Sequence, residues 1–306
     1  MTLTTTGPPS TRAAGGQQRP TTTQPRRIVR SGGRVLATIV IVLVIIVAFL
    51  GPYIWMFASG LKTQNSIFTD VFPVSWKTFI PLHATIENVV ELFTERDIGQ
   101  ALVNSGLVAG GQVLGALVVC CPAAYALTRI KFPGRNIIFA LILATFMLPA
   151  EALALPMFEL IGKLGIEDTL VGVGIPWIAN AFGLFLLRQA FEAVPVELDE
   201  AARLDGAGHF RIFWSVVLPN VRADLVTFVL TIFLFSWNAF LWPLIAIQSP
   251  EKQLVQVAIA QSVAPGELPN WGLSFAGASI ATIPLLVLFI FLQRQLIPGL
   301  ARSGMK

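Results

Sequence analysis

The chain has 306 residues, 55% hydrophobic and only 12% charged, with a mean hydropathy of +0.73. An average soluble domain is about 45–50% apolar and about 25% charged, so this composition excludes an ordinary soluble globular protein. Twenty-one Lys and Arg against seventeen Asp and Glu give a net charge of +4, but the basic residues lie between apolar runs, where membrane topology explains them better than nucleic-acid binding.

Residues 1–34 are mostly Thr, Pro, Gly, Gln and Arg. So few apolar side chains cannot offset the entropy of ordering a backbone, and the segment reads as a disordered tail. The run 35–58 carries no charge and exceeds the roughly 20 residues needed to cross hydrocarbon. It follows a long tail and lacks an Ala-x-Ala cleavage site, so it reads as a retained span rather than a removed signal. Five more runs follow, at about 103–128, 136–158, 169–187, 225–247 and 273–293, uncharged except for Glu151. No fixed repeat period and no alternating ten-residue segments occur, which argues for six helical spans in an all-α membrane protein rather than a β-barrel. Cys120 and Cys121, the only cysteines, are adjacent and have neither the reach for an ordinary disulfide nor the spacing of a metal site. No metal or cofactor is expected.

Six spans with the N-terminus inside place sixteen Lys and Arg on inner segments: six in the tail, Arg129, Lys131 and Arg135, then Arg188, Arg203, Arg211 and Arg222, then Arg294, Arg302 and Lys306. Only Lys62, Lys77, Arg96, Lys163 and Lys252 fall outside. Cytoplasmic segments carry the basic excess, so both termini are expected in the cytoplasm and the protein in the cell membrane. Three connections are long. The first outer loop, 59–102, mixes aromatics with charges, and its residues 86–93 read as a short amphipathic helix at the interface. The inner connection 188–224 is the most polar stretch after the tail, and the last outer loop, 248–272, with Pro250, Pro265, Gly266 and Pro269, reads as irregular.

Enzyme chemistry has little support. The Gly-x-x-x-x-Gly-Lys-Ser/Thr loop that cradles phosphates is absent, so the chain is not its own ATPase by that route. His83 and His209, the only histidines, fall on opposite sides of this topology, share no zinc or triad, and read as solvated loop residues. The inner connection is more informative. Pro195 suits a helix's first position, Glu197, Asp199 and Glu200 complement its N-terminal dipole, and Gly206 or Gly208 suits the left-handed residue that ends it. A short capped helix is expected over 195–208, with the small Ala201 and Ala202 permitting close approach by a partner. A second should run from about Phe210 to Leu218, stopped by Pro219.

At these residues the sequence resembles the permease subunits of binding-protein-dependent ABC importers. The signature of that family is Glu-Ala-Ala, three residues, Gly, nine residues, then Ile-x-Leu-Pro. Here stand Glu200-Ala201-Ala202, Gly206 and Val216-Val217-Leu218-Pro219, with Val216 for Ile the only departure. Asn104-Ser105, Ala123-Ala124-Tyr125-Ala126-Leu127 with Phe132-Pro133-Gly134-Arg135, Trp237-Asn238 with Phe240-Leu241-Trp242-Pro243, and residues 299–306 look like the maltose-type sugar permeases in particular. The family often carries an acidic residue where Ala239 stands. The resemblance covers about 35–306. It implies a type I importer fold, a homologous second permease, two cytoplasmic ATP-binding subunits, an external solute-binding protein and a sugar-like solute. It also implies that Glu200, Ala201, Ala202, Asp205 and Gly206 meet the ATPase.

Polar groups inside the membrane are the natural candidates for solute contact, because an unsatisfied one is costly there. Glu151 lies between Pro149 and Pro156, where an interface carboxylate held by a bend is the alternative to a pathway role. Asn238 and Trp237 lie mid-span, where an amide suits sugar hydroxyls and an indole suits a sugar's C–H face, against ordinary helix packing. Trp242 belongs either to the pathway or to an interfacial aromatic belt. The reading is an ATP-driven sugar permease that is not itself an enzyme. The alternatives are an ion-driven secondary transporter, which would carry several intramembrane ionisable groups where only Glu151 is visible, and an intramembrane enzyme, which would need a catalytic cluster that is not seen.

Overall fold

The computed structural model describes residues 31–262 and 270–303, with the backbone alone at 31, 32, 34 and 296–303. Residues 1–30, most of the expected tail, lie outside the described residues, as do 263–269 of the last outer loop and 304–306 of the family-like end. The chain divides into two units, 1–50 and 51–306. The described part of the first is the beginning of helix α1 (Ser31–Gly60). It takes in four residues assigned from the sequence to the tail, and every side chain from Val35 to Leu50 is exposed, as a lipid-facing apolar helix requires.

The second unit continues through α2 (Gln64–Thr69), α3 (Trp76–Phe79), α4 (Glu87–Thr94), the long α5 (Ile98–Arg129), α6 (Arg135–Phe146), α7 (Ala150–Lys163) and α8 (Leu170–Gly174), the last extended by a 3-10 turn at Ile175–Trp177. There follow α9 (Ala181–Glu192), α10 (Val196–Leu204), α11 (His209–Ile212), a π turn at Phe213–Val217, α12 (Leu218–Asn220) and α13 (Arg222–Trp237). The described chain closes with α14 (Leu241–Ala246), a 3-10 turn at Pro250–Lys252, α15 (Val255–Gln261) and α16 (Trp271–Ser303). No strand occurs among the described residues, so the fold is all-α.

Among the described residues three stretches are single helices long and apolar enough to cross a membrane: Val35–Gly60, Ile98–Arg129 and Trp271–Gln295. The other three expected spans are broken. The run 136–158 divides into α6 and α7, bent by 100°. Pro149 there is extended at ψ 131°, lacks an N–H and disfavours helix at the residue before it. The run 169–187 divides, with a 45° bend, where Asn180 leaves the helix and its side-chain oxygen accepts the Gly183 N–H at 2.7 Å to cap α9. The run 225–247 stops at Trp237 and resumes at Leu241, because Pro243 has no N–H to give the Ala239 carbonyl. The bend that pairs with α13 lies instead before it, at 82° between Asn220 and Arg222.

Helix α5 is the hub, packing against α8, α9, α13 and α15. Toward its Arg129 end, Cys120, Cys121 and Tyr125 join Leu187, Phe191, Ile212, Phe213 and Phe228 in one buried cluster. Cys120 Sγ lies 3.8 Å from the Ile178 carbonyl and 3.7 Å from that of Asn180, so the thiol faces two acceptors left by the broken helix. Helices α9 and α13 meet at Gly183, where a Cβ would stand 2.5 Å from the Phe228 ring. Only glycine permits that approach. At the start of α6, the Arg188 guanidinium of α9 sits 3.9 Å over the Phe139 ring, a cation–π contact that joins the two helices.

The first long loop is more ordered than its composition suggests. The Lys62 ammonium, 2% exposed, reaches Asp70 Oδ2 at 3.0 Å and donates to the carbonyls of Lys77 at 2.7 Å and Thr78 at 3.3 Å. Asn88 donates to the Gly60 and Lys62 carbonyls. Helix α4 is therefore not merely interfacial: Asn88 and Leu92 are buried, and α4 packs against α16. The last loop is also less irregular than expected, since its described part contains α15. Asn104 donates to the Glu251 and Gln253 carbonyls and Ser105 accepts the Val255 N–H.

Candidate functional site

The helix expected at 195–208 is shorter, Val196–Leu204, with Pro195 as its cap rather than its first turn. Its end is a Schellman motif: the Gly206 N–H bonds the Arg203 carbonyl and the Ala207 N–H bonds that of Ala202, both at 2.9 Å. Gly206 has φ +81°, so of the two glycines considered it is the one that needs left-handed backbone. Ala202 and Ala207, the pair flanking this turn, pack on the core cluster. Glu200, Ala201, Asp205 and Gly206 are exposed, as is Leu204 at 90%. Phe210 and Trp214 are exposed too and meet edge to face at 6.2 Å. The 200–214 segment thus exposes acidic and large apolar side chains together, and exposed apolar side chains rimmed by polar ones are of the kind that marks an interaction site.

The second helix of this segment differs from the expected Phe210–Leu218. It begins at His209, widens into the π turn and passes through Pro219 to Asn220. A π widening relieves the hydrogen bond that Pro219 cannot donate, so proline marks a distortion here and not a stop. His209 is exposed but not simply solvated, because its Nδ1 lies 3.1 Å from Tyr125 Oη.

Two residues that local sequence reasoning missed fix this module to the bundle. Asp199 was grouped with the dipole-complementing acids, yet it is the one buried residue of α10. Its Oδ2 lies 3.0 Å from Arg129 Nε, with side-chain exposures of 3% and 5%, and Arg129 Nη2 donates to the Val194 carbonyl at 2.7 Å. Nothing in the 194–208 pattern distinguishes Asp199 from Glu197 or Glu200 except its position relative to the helix faces.

The four candidate pathway residues do not form one group. Trp237 is buried, donates from Nε1 to the Ala281 carbonyl at 3.0 Å and stacks on Phe233 at 5.5 Å. Trp242 is buried and donates to the Val173 carbonyl at 3.1 Å. Both indoles give their N–H to a carbonyl of a neighbouring helix, a contact that belongs to helix packing and leaves the ring faces as the part that could meet a solute. Asn238 and Glu151 are exposed, Asn238 at the end of α13 with its amide bonded to the Leu234 carbonyl at 2.9 Å and Glu151 in the first turn of α7. An aromatic ladder unnoticed in the sequence joins three helices. Phe146, the last residue of α6, stacks on Phe182 of α9 at 5.5 Å, and Phe182 meets Phe235 of α13 edge to face at 6.5 Å. Among the described residues no His, Cys, Asp or Glu cluster is fit to hold a metal.

Multiple apolar helices around α5, with a polar two-helix module at one end, define a multi-pass membrane protein. Residues 116–302 match the family described as binding-protein-dependent transport system inner membrane component, and the chain belongs to that family. It is 32% identical over 252 residues to the lactose transport system permease protein of Rhizobium radiobacter, covering 82% of this chain and 89% of that one. The sn-glycerol-3-phosphate transport system permease protein of Yersinia pestis is 35% identical over 67% of this chain and 73% of its own length. The arabinooligosaccharides transport system permease protein of Halalkalibacterium halodurans is 34% identical over 74% of this chain and 82% of its own. A crystal structure of a bacterial ABC transporter involved in alginate import contains a chain that superposes with a TM-score of 0.74 at 21% identity, covering 87% of this chain and 98% of that one. That likeness shows the fold, a type I importer permease. Family membership favours the ATP-driven permease reading over an ion-driven secondary transporter.

Proposed function

We propose that this permease imports a sugar or sugar-like solute, working with a homologous second permease, two cytoplasmic ATPases and an external solute-binding protein, and that it performs no bond chemistry of its own. Support for the solute class comes from relatives named for lactose, glycerol phosphate and arabinooligosaccharides, all rich in hydroxyls. The observation that carries the coupling role is the exposed surface of α10 and α11 at the Glu-Ala-Ala turn. In this reading Glu200, Ala201 and Asp205 face the ATPase, and Ala202 and Gly206 set the turn that presents them. ATPase closure pushes on α10 and swings the spans between inward-open and outward-open, a rigid-body form of alternating access. Both termini and the 188–224 connection lie in the cytoplasm. Glu151 and Asn238 line the route, with an amide for hydroxyls, and the Phe146–Phe182–Phe235 ladder offers aromatic faces for sugar C–H groups.

Two variants test the coupling surface. Gly206→Pro cannot hold φ +81°, because proline fixes φ near about −65°. Glu200→Lys reverses the charge offered to the ATPase. Both variants insert, and ATP-driven uptake by the purified complex falls by about tenfold or more, the change that about 1.4 kcal/mol carries. Wild-type uptake with normal solute-stimulated hydrolysis in both would remove this surface as the coupling element.

A further inference from the structure

Helix α10 is attached to the bundle in an unusual way. Among its nine residues the one buried side chain is a carboxylate, Asp199, while Val196, Leu198 and Leu204 are exposed. No apolar side chain of α10 is fully buried, so its grip comes from Ala202 at the edge of the core and from the Arg129 pair. Arg129 is the last residue of α5, where a cation complements the negative end of the helix dipole, and Asp199 lies in the first turn of α10, where an anion complements the positive end. The guanidinium also holds the Val194 carbonyl, the position just before the Pro195 cap. One side chain therefore fixes both the entry and the first turn of α10. One turn earlier on α5, Tyr125 reaches His209 of α11.

The pair is not built for stability. The hydrogen bonding of the pair is incomplete: Asp199 Oδ1 is buried without a partner among the described residues, and Arg129 Nε meets Asp199 Oδ2 at 3.0 Å without hydrogen-bond alignment. A buried ion pair with incomplete hydrogen bonding rarely repays its desolvation, and well-packed apolar replacements are often neutral or stabilising. What such a pair retains is direction: it resists displacement of α10 relative to the end of α5, and α5 is the helix against which α8, α9, α13 and α15 pack.

We propose that Arg129 and Asp199 are positioning residues that form the joint passing displacement of α10 to α5, and through α5 to the bundle. This rests on the reading of α10 as the surface that meets the ATPase. The pair touches neither solute nor nucleotide. Its outward neighbours Glu197 and Glu200 are exposed and remain available to the ATPase when the joint is removed.

The test uses the complete purified importer in lipid and reads solute taken up per ATP hydrolysed, ATPase co-purification and thermal unfolding. Arg129→Met with Asp199→Leu removes both charges and leaves no unpaired ion. The double variant should assemble with its ATPases, unfold at or above the wild-type temperature and hydrolyse ATP, while uptake per ATP falls by about tenfold or more. The swap Arg129→Asp with Asp199→Arg should recover a substantial part of that ratio. Wild-type uptake per ATP in the double variant would overturn the joint. So would a double variant that fails to assemble or unfolds early, since the pair would then be a structural staple. If Gly206→Pro and Glu200→Lys leave transport intact while the pair variants uncouple it, the docking surface is wrong and the joint stands. The converse result leaves the docking surface and removes the joint.

Discussion

Asp168 shows how much one carboxylate can organise. It sits at φ +50° between α7 and α8, accepts the N–H groups of Gln248 and Ser249 at 2.9 Å, accepts the Ser249 hydroxyl and pairs with Lys252 at 2.9 Å. The Ser249 hydroxyl first, then the backbone amides and the Lys252 ammonium, hold its carboxyl well below the usual carboxylate range. A depressed native pKa means that the unfolded chain binds more protons in the acid range. The contribution of Asp168 is therefore complete above the unfolded value of about 3.9 and is lost as pH falls below it. The difference in thermal unfolding between wild type and Asp168→Asn should be constant from about pH 7 to about pH 5 and should shrink below about pH 4. A constant difference down to the lowest accessible pH would show that the charge contributes nothing. Asn238 and Glu151 pose a different contrast. The Asn238 amide bonds only within its own helix among the interactions described, and even hydrogen bonds between membrane helices average only about 0.6 kcal/mol. Asn238→Leu should cost little stability yet weaken uptake across a range of solute concentrations, and Glu151→Gln should do the same. Wild-type uptake kinetics in both would return these residues to helix packing.

At the scale of elements, the sequence was most legible where one signal decides a local conformation. The Gly206 turn, the polar two-helix connection and the apolar runs of α1, α5 and α16 all carry their cause within a few residues. Breaks were less legible. Pro149, Asn180 and Pro243 sit inside runs whose hydropathy alone reads as continuous, and a chain that bends by 100° after Phe146 differs from a straight span only through backbone donors that composition does not count. The Arg129–Asp199 pair and the Phe146–Phe182–Phe235 ladder were not legible at all. Their members lie on different helices, and nothing near any of them specifies a partner. Conversely, Trp237 and Trp242 were singled out for their chemistry, and a buried neighbouring carbonyl had already claimed each indole N–H.

For the whole molecule, the basic bias and the bent pairs together make a topology that labelling can decide. A single cysteine at Gly208 or Ser303 should resist an impermeant thiol reagent applied to intact cells and react after permeabilisation, whereas one at Lys77 should react from outside. The native Cys120 and Cys121 are both buried and give little background. Reaction at Gly208 or Ser303 from outside would invert the arrangement.

The apolar helices also differ in how much they need one another. Of the described helices α1 comes first in the chain, and its window is the most apolar of the three single-helix spans. The first half of α5 carries Asn104, Ser105 and Gln112, all buried in the folded bundle, and Asn104 and Ser105 bond to backbone that lies some 150 residues later in the chain. During synthesis, then, α1 can enter the bilayer on its own hydrophobicity and, with the arginines that precede it, commit the orientation of everything that follows. In α5 the Asn104 oxygen has Gln100 of its own helix as a donor, whereas the Asn104 amide N–H groups and the Ser105 hydroxyl must wait for the backbone of 251–255. The long helix at the centre of the bundle is thus among the earlier ones made, and its polar contacts are completed only when a segment some 150 residues later has followed.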